Sequence, residues 1–137
     1  MNGCVRTKPN PFTDRGSILV EFIKKQIQPG VIVLQMTGSI RIGPNCQQIE
    51  HALEEILQEG GLWVIFDLSG VTYIDSGGIG TVVRCLLKLR KLGGTLRLAG
   101  VNGMVAGVLK LTQIDRNFEI FPTAEEAVQG LPLAPKT

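Results

Sequence analysis

Val71-Thr72-Tyr73-Ile74-Asp75-Ser76-Gly77-Gly78-Ile79-Gly80-Thr81-Val82-Val83 is the stretch whose reading decides the fold. It opens with the β-branched and aromatic residues of a strand, Val71, Tyr73 and Ile74. From Ile79 the apolar residues change period: Ile79, Val82, Val83, Leu86 and Leu89 share one helical face. Asp75 and Ser76 sit at the change. Gly77, Gly78 and Gly80 follow at once, so no Cβ holds neighbouring backbone or a partner away. A helix start carries unpaired N–H groups and about half an elementary positive charge. The corner therefore reads as bare and donor-lined, fit to hold an anion or to meet another protein closely.

Working outward, Leu62-Trp63-Val64-Ile65-Phe66 is apolar on both faces, as central parallel strands are. Asp67-Leu68-Ser69-Gly70 reads as a break before the opening stretch. The Asp67 carboxylate is either a binding group or, more plainly, an acceptor for a turn N–H. On the other side the helix runs to about Leu92 and ends at Gly93-Gly94. Arg84, Lys88 and Lys91 form a basic stripe on it. Cations near a helix C-terminus are favoured in solvent; contact with a partner is the alternative.

Residues 17–26 alternate as a strand, with Ile18, Val20 and Phe22 on one face. Gln28-Pro29-Gly30 is a turn, and residues 31–39 return as a second strand, which predicts an antiparallel hairpin. Pro44-Asn45 opens a helix, with Asn45 as N-cap and Gln48 three residues on. Its apolar face is Ile49, Leu53, Ile56 and Leu57; Glu50, Glu54, Glu55 and Glu59 face water. Residues 95–99 form a strand, Asn102 opens a short third helix, and residues 118–121 form the last strand. Thr123-Ala124-Glu125-Glu126 is a capping box for a final helix. Residues 1–16, with Pro9 and Pro11, and residues 131–137, with Pro132 and Pro135, read as tails around one domain over 17–130. The order β-β-α-β-α-β-α-β-α predicts a single α/β domain. Its five-stranded sheet is mixed but mainly parallel, with helices packed on it.

Composition agrees with one such domain: 137 residues, 44% apolar. No apolar run approaches the roughly 20 residues that span a bilayer, and no leader pattern is seen, so a cytoplasmic home is expected. The net charge of +2, from 14 basic and 12 acidic residues, gives no basis for nucleic-acid binding. Cys4, Cys46 and Cys85 form no C-x-x-C pair and fit reduced thiols.

The opening stretch resembles the signature of STAS domains, the fold of bacterial anti-sigma factor antagonists. That signature is Asp-Ser-(Ser/Thr/Ala)-Gly-(Leu/Ile)-Gly at a helix start. Asp75, Ser76, Gly78, Ile79 and Gly80 match it. "DLSGV" followed by "IDS", and residues 109–115, similar to an L-x-L-T-G-L-D pattern with Gln113 in place of glycine, extend the resemblance over residues 17–129. Arg41 stands where many such sequences carry an acidic residue.

The resemblance implies a non-enzymatic, cofactor-free regulator that binds an anti-sigma factor of the serine-kinase type and thereby releases a sigma factor. The expected surface is Asp75, Ser76, Gly77, Gly78, Ile79 and Gly80, with Arg84 and the loop from Ser39 to Gly43 that carries Arg41. On this reading the phosphoacceptor slot is the middle one. Gly77 offers no hydroxyl there, and Ser76 reads as the N-cap, its hydroxyl turned onto the backbone. A phosphorylation switch is therefore not expected, with Ser76 the remaining candidate and Thr81 a poor one.

Catalysis is thinly supplied. The sole histidine, His51, has no partner at metal-ligand spacing and nothing places it beside Ser76. No Walker lysine follows the glycines. Two other readings stay open. One is a scaffold module in a larger signalling assembly, with self-association. The other is a sensor holding a nucleotide or other anion at residues 77–80.

Overall fold

The computed structural model describes residues 4–6, 20–129 and 131. Its elements are β1 (Cys4–Arg6), β2 (Glu21–Gln28), β3 (Val31–Ile40), α1 (Pro44–Gln58), β4 (Trp63–Ile74) and α2 (Ser76–Lys91). There follow β5 (Thr95–Ala99), α3 (Gly103–Leu111), a 3-10 turn (Ile114–Asn117), β6 (Glu119–Phe121) and α4 (Ala124–Val128). The predicted order is present, with one strand added at its start. The sheet runs β1-β2-β3-β4-β5-β6. β1, β2 and β3 pair antiparallel; β3, β4, β5 and β6 pair parallel. The mixed α/β architecture is the one the element order requires.

Three sequence boundaries change. Cys4–Arg6, read as tail, pairs with β2; the remainder of 1–16, and residues 17–19 of the expected first strand, lie outside the described residues. Leu131, read as the start of a tail, is 5% exposed and packs into a core; residues 132–137 lie outside the description. Asp67-Leu68-Ser69-Gly70 does not break the chain, because β4 runs straight through it. The register with β3 shifts twice, between Gln35/Thr37 and Gly38/Ser39. Bulges absorb the polar residues while Leu68 stays in the core. Asp67 Oδ1 accepts the Ser69 N–H at 3.0 Å, the plainer of its two predicted roles.

Alternation along the strands builds a core on each face of the sheet. Ile32, Leu34, Met36, Val64, Phe66, Leu96 and Leu98 meet the apolar faces of α1, α2 and α3. Val31, Val33, Ile65 and Ala99 meet Ala127 and Leu131. Arg97, on this second face, fastens α4. Its guanidinium donates to the carbonyls of Ala127 (2.8 Å) and Gln129 (3.1 Å), pairs with Glu119 (2.7 Å) and lies over the Phe121 ring.

α1 and α2 are joined by two ion pairs, Arg84–Glu50 at 2.9 Å and Lys88–Glu54. The acidic face of α1 and the basic stripe of α2, read separately as solvated, thus face each other. Cys46 and Cys85 are buried free thiols. Burial pushes the Cys85 thiol up to about 12, so it carries negligible thiolate at neutral pH.

Gln113 is the one non-glycine residue with positive φ (63°) among those described. It occupies the slot where the resemblance expects glycine. A left-handed L-residue costs roughly 1–2 kcal/mol, and the added freedom of an unfolded glycine takes back part of that. Gln113→Gly is therefore expected to stabilise the fold by about 0.5–1 kcal/mol, read from the urea midpoint at unchanged m-value.

Candidate functional site

β3 and β4 end side by side. Ile40 pairs with Ile74, and the Asp75 N–H donates to the Ile40 carbonyl at 3.2 Å. The loop of residues 41–43 is thereby laid against the first turn of α2.

Asp75, in extended conformation, is the N-cap of α2. Its Oδ1 accepts the Gly78 N–H at 2.9 Å and its Oδ2 accepts the Ile42 N–H at 3.1 Å. This corrects the reading of Ser76 as cap. A carboxylate caps as well as a hydroxyl, and its second oxygen also reaches a second segment, which a single hydroxyl does less well. Ser76 becomes the first residue of the helix, with an exposed side chain and no hydrogen bond to its hydroxyl among the described residues.

Burial pushes the Asp75 carboxyl up, but N–H groups of Gly78, Ile42 and Gly77 and the Arg41 charge outweigh it. The pKa is held below the ordinary 3.8. The helix-start donors are therefore already engaged by a negative charge of the chain itself. The corner is not the bare, donor-lined anion site that the glycines suggested.

Nor is it uncovered. A Cβ added at Gly77 would lie 2.6 Å from Ile42 Cβ and 3.1 Å from its Cα. One added at Gly78 would meet the Ile40 carbonyl oxygen at 2.7 Å. These two glycines exist so that the 41–43 loop and the end of β3 can pack on the helix. Ile42 covers Gly77, yet its own side chain is 72% exposed. Gly78 and Ile79 are buried, and Gly80 is half-buried.

Arg41 is exposed but held. Its guanidinium lies 4.1 Å over the Tyr73 ring, its N–H donates to Asn45 Oδ1 at 3.0 Å, and its carbonyl accepts from Cys46 Sγ at 3.3 Å. Asn45 is thus not the N-cap of α1, which is Gly43 with Pro44 as first residue; it fastens the loop instead. Thr81 is fully buried. Its hydroxyl donates to the Gly77 carbonyl at 3.0 Å and accepts from Arg84. Arg84 reaches from there to Glu50 and so leans toward α1 rather than standing free beside Ser76.

Of the predicted residues, the structure brings Arg41, Asp75, Ser76 and Gly77 to one corner. Gly78 and Ile79 support it from beneath, and Arg84 points away. Sequence reasoning placed the loop of residues 39–43 on this surface but did not single out Ile42. Its signal was a lone apolar residue between Arg41 and Gly43-Pro44, where no core period calls for one. His51 is exposed on α1 and pairs with Glu55 at 3.4 Å. Among the described residues, no group of three or more His, Cys, Asp or Glu is placed to hold a metal ion. No helix among them is long and apolar enough to cross a membrane.

Two outcomes test this geometry. Gly77→Ser should cost about 1–3 kcal/mol by overpacking, and Gly77→Ser with Ile42→Gly should recover most of it in urea unfolding. For Asp75 the folded pKa is depressed, so its stabilisation is present above the unfolded value and is lost as pH falls through the folded one. The melting difference between wild type and Asp75→Asn should be full at pH 7 and shrink below about pH 3.8.

The STAS domain family model matches residues 22–127. A Thermotoga maritima protein provisionally named an anti-sigma factor antagonist is 36% identical over 104 residues, 76% of this chain and 92% of the relative. A crystal structure from Thermotoga maritima under the same provisional name superposes with TM-score 0.71 at 30% identity. The match covers 79% of this chain and 92% of that one. The murine solute carrier 26 member A9 anion transporter carries the same fold, with TM-score 0.63 at 17% identity. Here the match covers 93% of this chain but 21% of the transporter. On the family match and on these coverages, the chain belongs to the STAS domain family.

Proposed function

We propose that this chain is an anti-sigma factor antagonist. It would bind an anti-sigma factor of the serine-kinase type, without doing chemistry of its own, and so release a sigma factor. The reading is supported by the similarity to the Thermotoga relative. The observation that carries it is the exposed cluster of Arg41, Ile42 and Ser76 on a corner braced by Asp75. A fixed apolar side chain beside a cation and a hydroxyl loses little conformational freedom on docking. It also combines apolar burial with polar orientation.

Control would run through Ser76. The sequence argument against it was a hydroxyl consumed by capping, and Asp75 does the capping instead. A phosphate there adds about −1.5 to −2 charges one residue from the Asp75 carboxylate. It would cost a desolvated contact heavily. Gly77 has no hydroxyl to accept it, and Ile42 occupies the space that a side chain there would need.

A second reading is a module within a larger assembly, favoured by the occurrence of this fold as about a fifth of a transporter chain. It predicts concentration-dependent oligomers of the pure chain. The nucleotide or anion reading at residues 77–80 loses its main support, because the donors there face Asp75.

Titration calorimetry against the cognate anti-sigma factor tests the proposal. Ser76→Asp and Ile42→Asp should each weaken binding at least about hundredfold, and Ile42→Val should leave it within about threefold. Unchanged affinity in both aspartate variants would remove the corner from the interface and the reading with it.

A further inference from the structure

A second site lies at the opposite end of the sheet. β6 joins β5 only from Arg97 opposite Glu119 onward, whereas β5 begins at Thr95. The sheet therefore has a notch beside Thr95 and Leu96. The last turn of α2 supplies Arg90 to one wall, and the 3-10 turn supplies Arg116 and Asn117 to the other. Together they enclose a cavity of about 290 Å³. That is several times the roughly 30 Å³ of one water.

Its charge is unbalanced. Arg90 makes one long hydrogen bond, 3.4 Å, to the Asn117 carbonyl, and no carboxylate pairs with Arg90 or Arg116 among the described residues. The one carboxylate in the wall, Glu119, is drawn to Arg97 at 2.7 Å on the sheet. Arg90, Arg116, Thr95 and Asn117 thus line a space whose one carboxylate is already paired with Arg97. This differs from the α1–α2 side, where Arg84 and Lys88 have carboxylate partners. Planar guanidiniums fit tetrahedral oxyanions through paired N–H donors, and a dianion relieves their mutual repulsion.

We propose that this notch binds a small phosphomonoester. Its phosphoryl oxygens would lie between Arg90 and Arg116, with the Thr95 hydroxyl as a further donor and its organic part in the remaining volume. The site is remote from the α2 N-terminus and independent of the function proposed above. It gives the domain an input separate from its docking corner.

Amide chemical-shift titration of the full chain tests it, with inorganic phosphate, ribose 5-phosphate and, at matched ionic strength, sodium chloride as probes. The expected result is saturable shifts confined to residues 90, 95–96 and 116–119, with Kd at or below about 1 mM for the sugar phosphate. Arg90→Gln and Arg116→Gln, both at exposed positions, should each weaken it at least about tenfold. Equal shifts with chloride, shifts located at residues 75–80, or an unchanged Kd in both variants would overturn the site. Tighter binding of inorganic phosphate than of the sugar phosphate would overturn the phosphomonoester assignment.

Discussion

One carboxylate organises the corner at which β3 and β4 end. Asp75 accepts from Gly78 with one oxygen and from Ile42 with the other. The first bond starts α2; the second fixes the loop leaving β3. Charge-assisted hydrogen bonds of this kind are about twice as strong as neutral ones. Glycines at 77 and 78 are the steric counterpart, since a side chain at either would push the helix away from the loop. Arg41 on Tyr73 and Asn45 on Arg41 complete a rigid corner.

That bracing changes what the corner offers. Glycines before a helix usually suggest open backbone donors and a seat for phosphate. Here the protein's own carboxylate takes those donors, and the exposed groups are an isoleucine, a serine and an arginine. Such a surface suits a protein partner better than a free anion. Two arginines without a carboxylate partner among the described residues, Arg90 and Arg116, stand at the other end of the sheet. The domain thus carries two chemically unlike surfaces, separated by the length of the parallel strands.

The β-β-α-β-α-β-α-β-α order was legible because each element announces itself locally. Examples are the alternation from Val20, the doubly apolar Leu62 to Phe66, and the helical period from Ile79. The Thr123 cap was legible for the same reason; its hydroxyl accepts from Glu126 at 3.2 Å as the capping box demands. The errors share a different cause. Ser76 and Asn45 are good caps by type, yet each lost the cap position to a neighbour. Asp67 to Gly70 looked like a break because polar residues and a glycine end most strands; bulges against β3 let this one continue. Ile42 was not singled out within its loop because its contact is with Gly77, thirty-five positions away in sequence.

By itself the sequence determined the class of fold, the family and the place of the strand-to-helix corner, since periodicity, turn chemistry and a short signature are properties of neighbouring residues. Tertiary structure decided which atoms that corner exposes. Asp75 and Ser76 both stand at the helix start with a suitable side chain. Only the approach of the β3–α1 loop, with its Ile42 N–H needing an acceptor, gave the cap to the carboxylate and left the hydroxyl free. Competition between adjacent groups for one donor is settled by what else each can reach, and reach is a property of the folded chain.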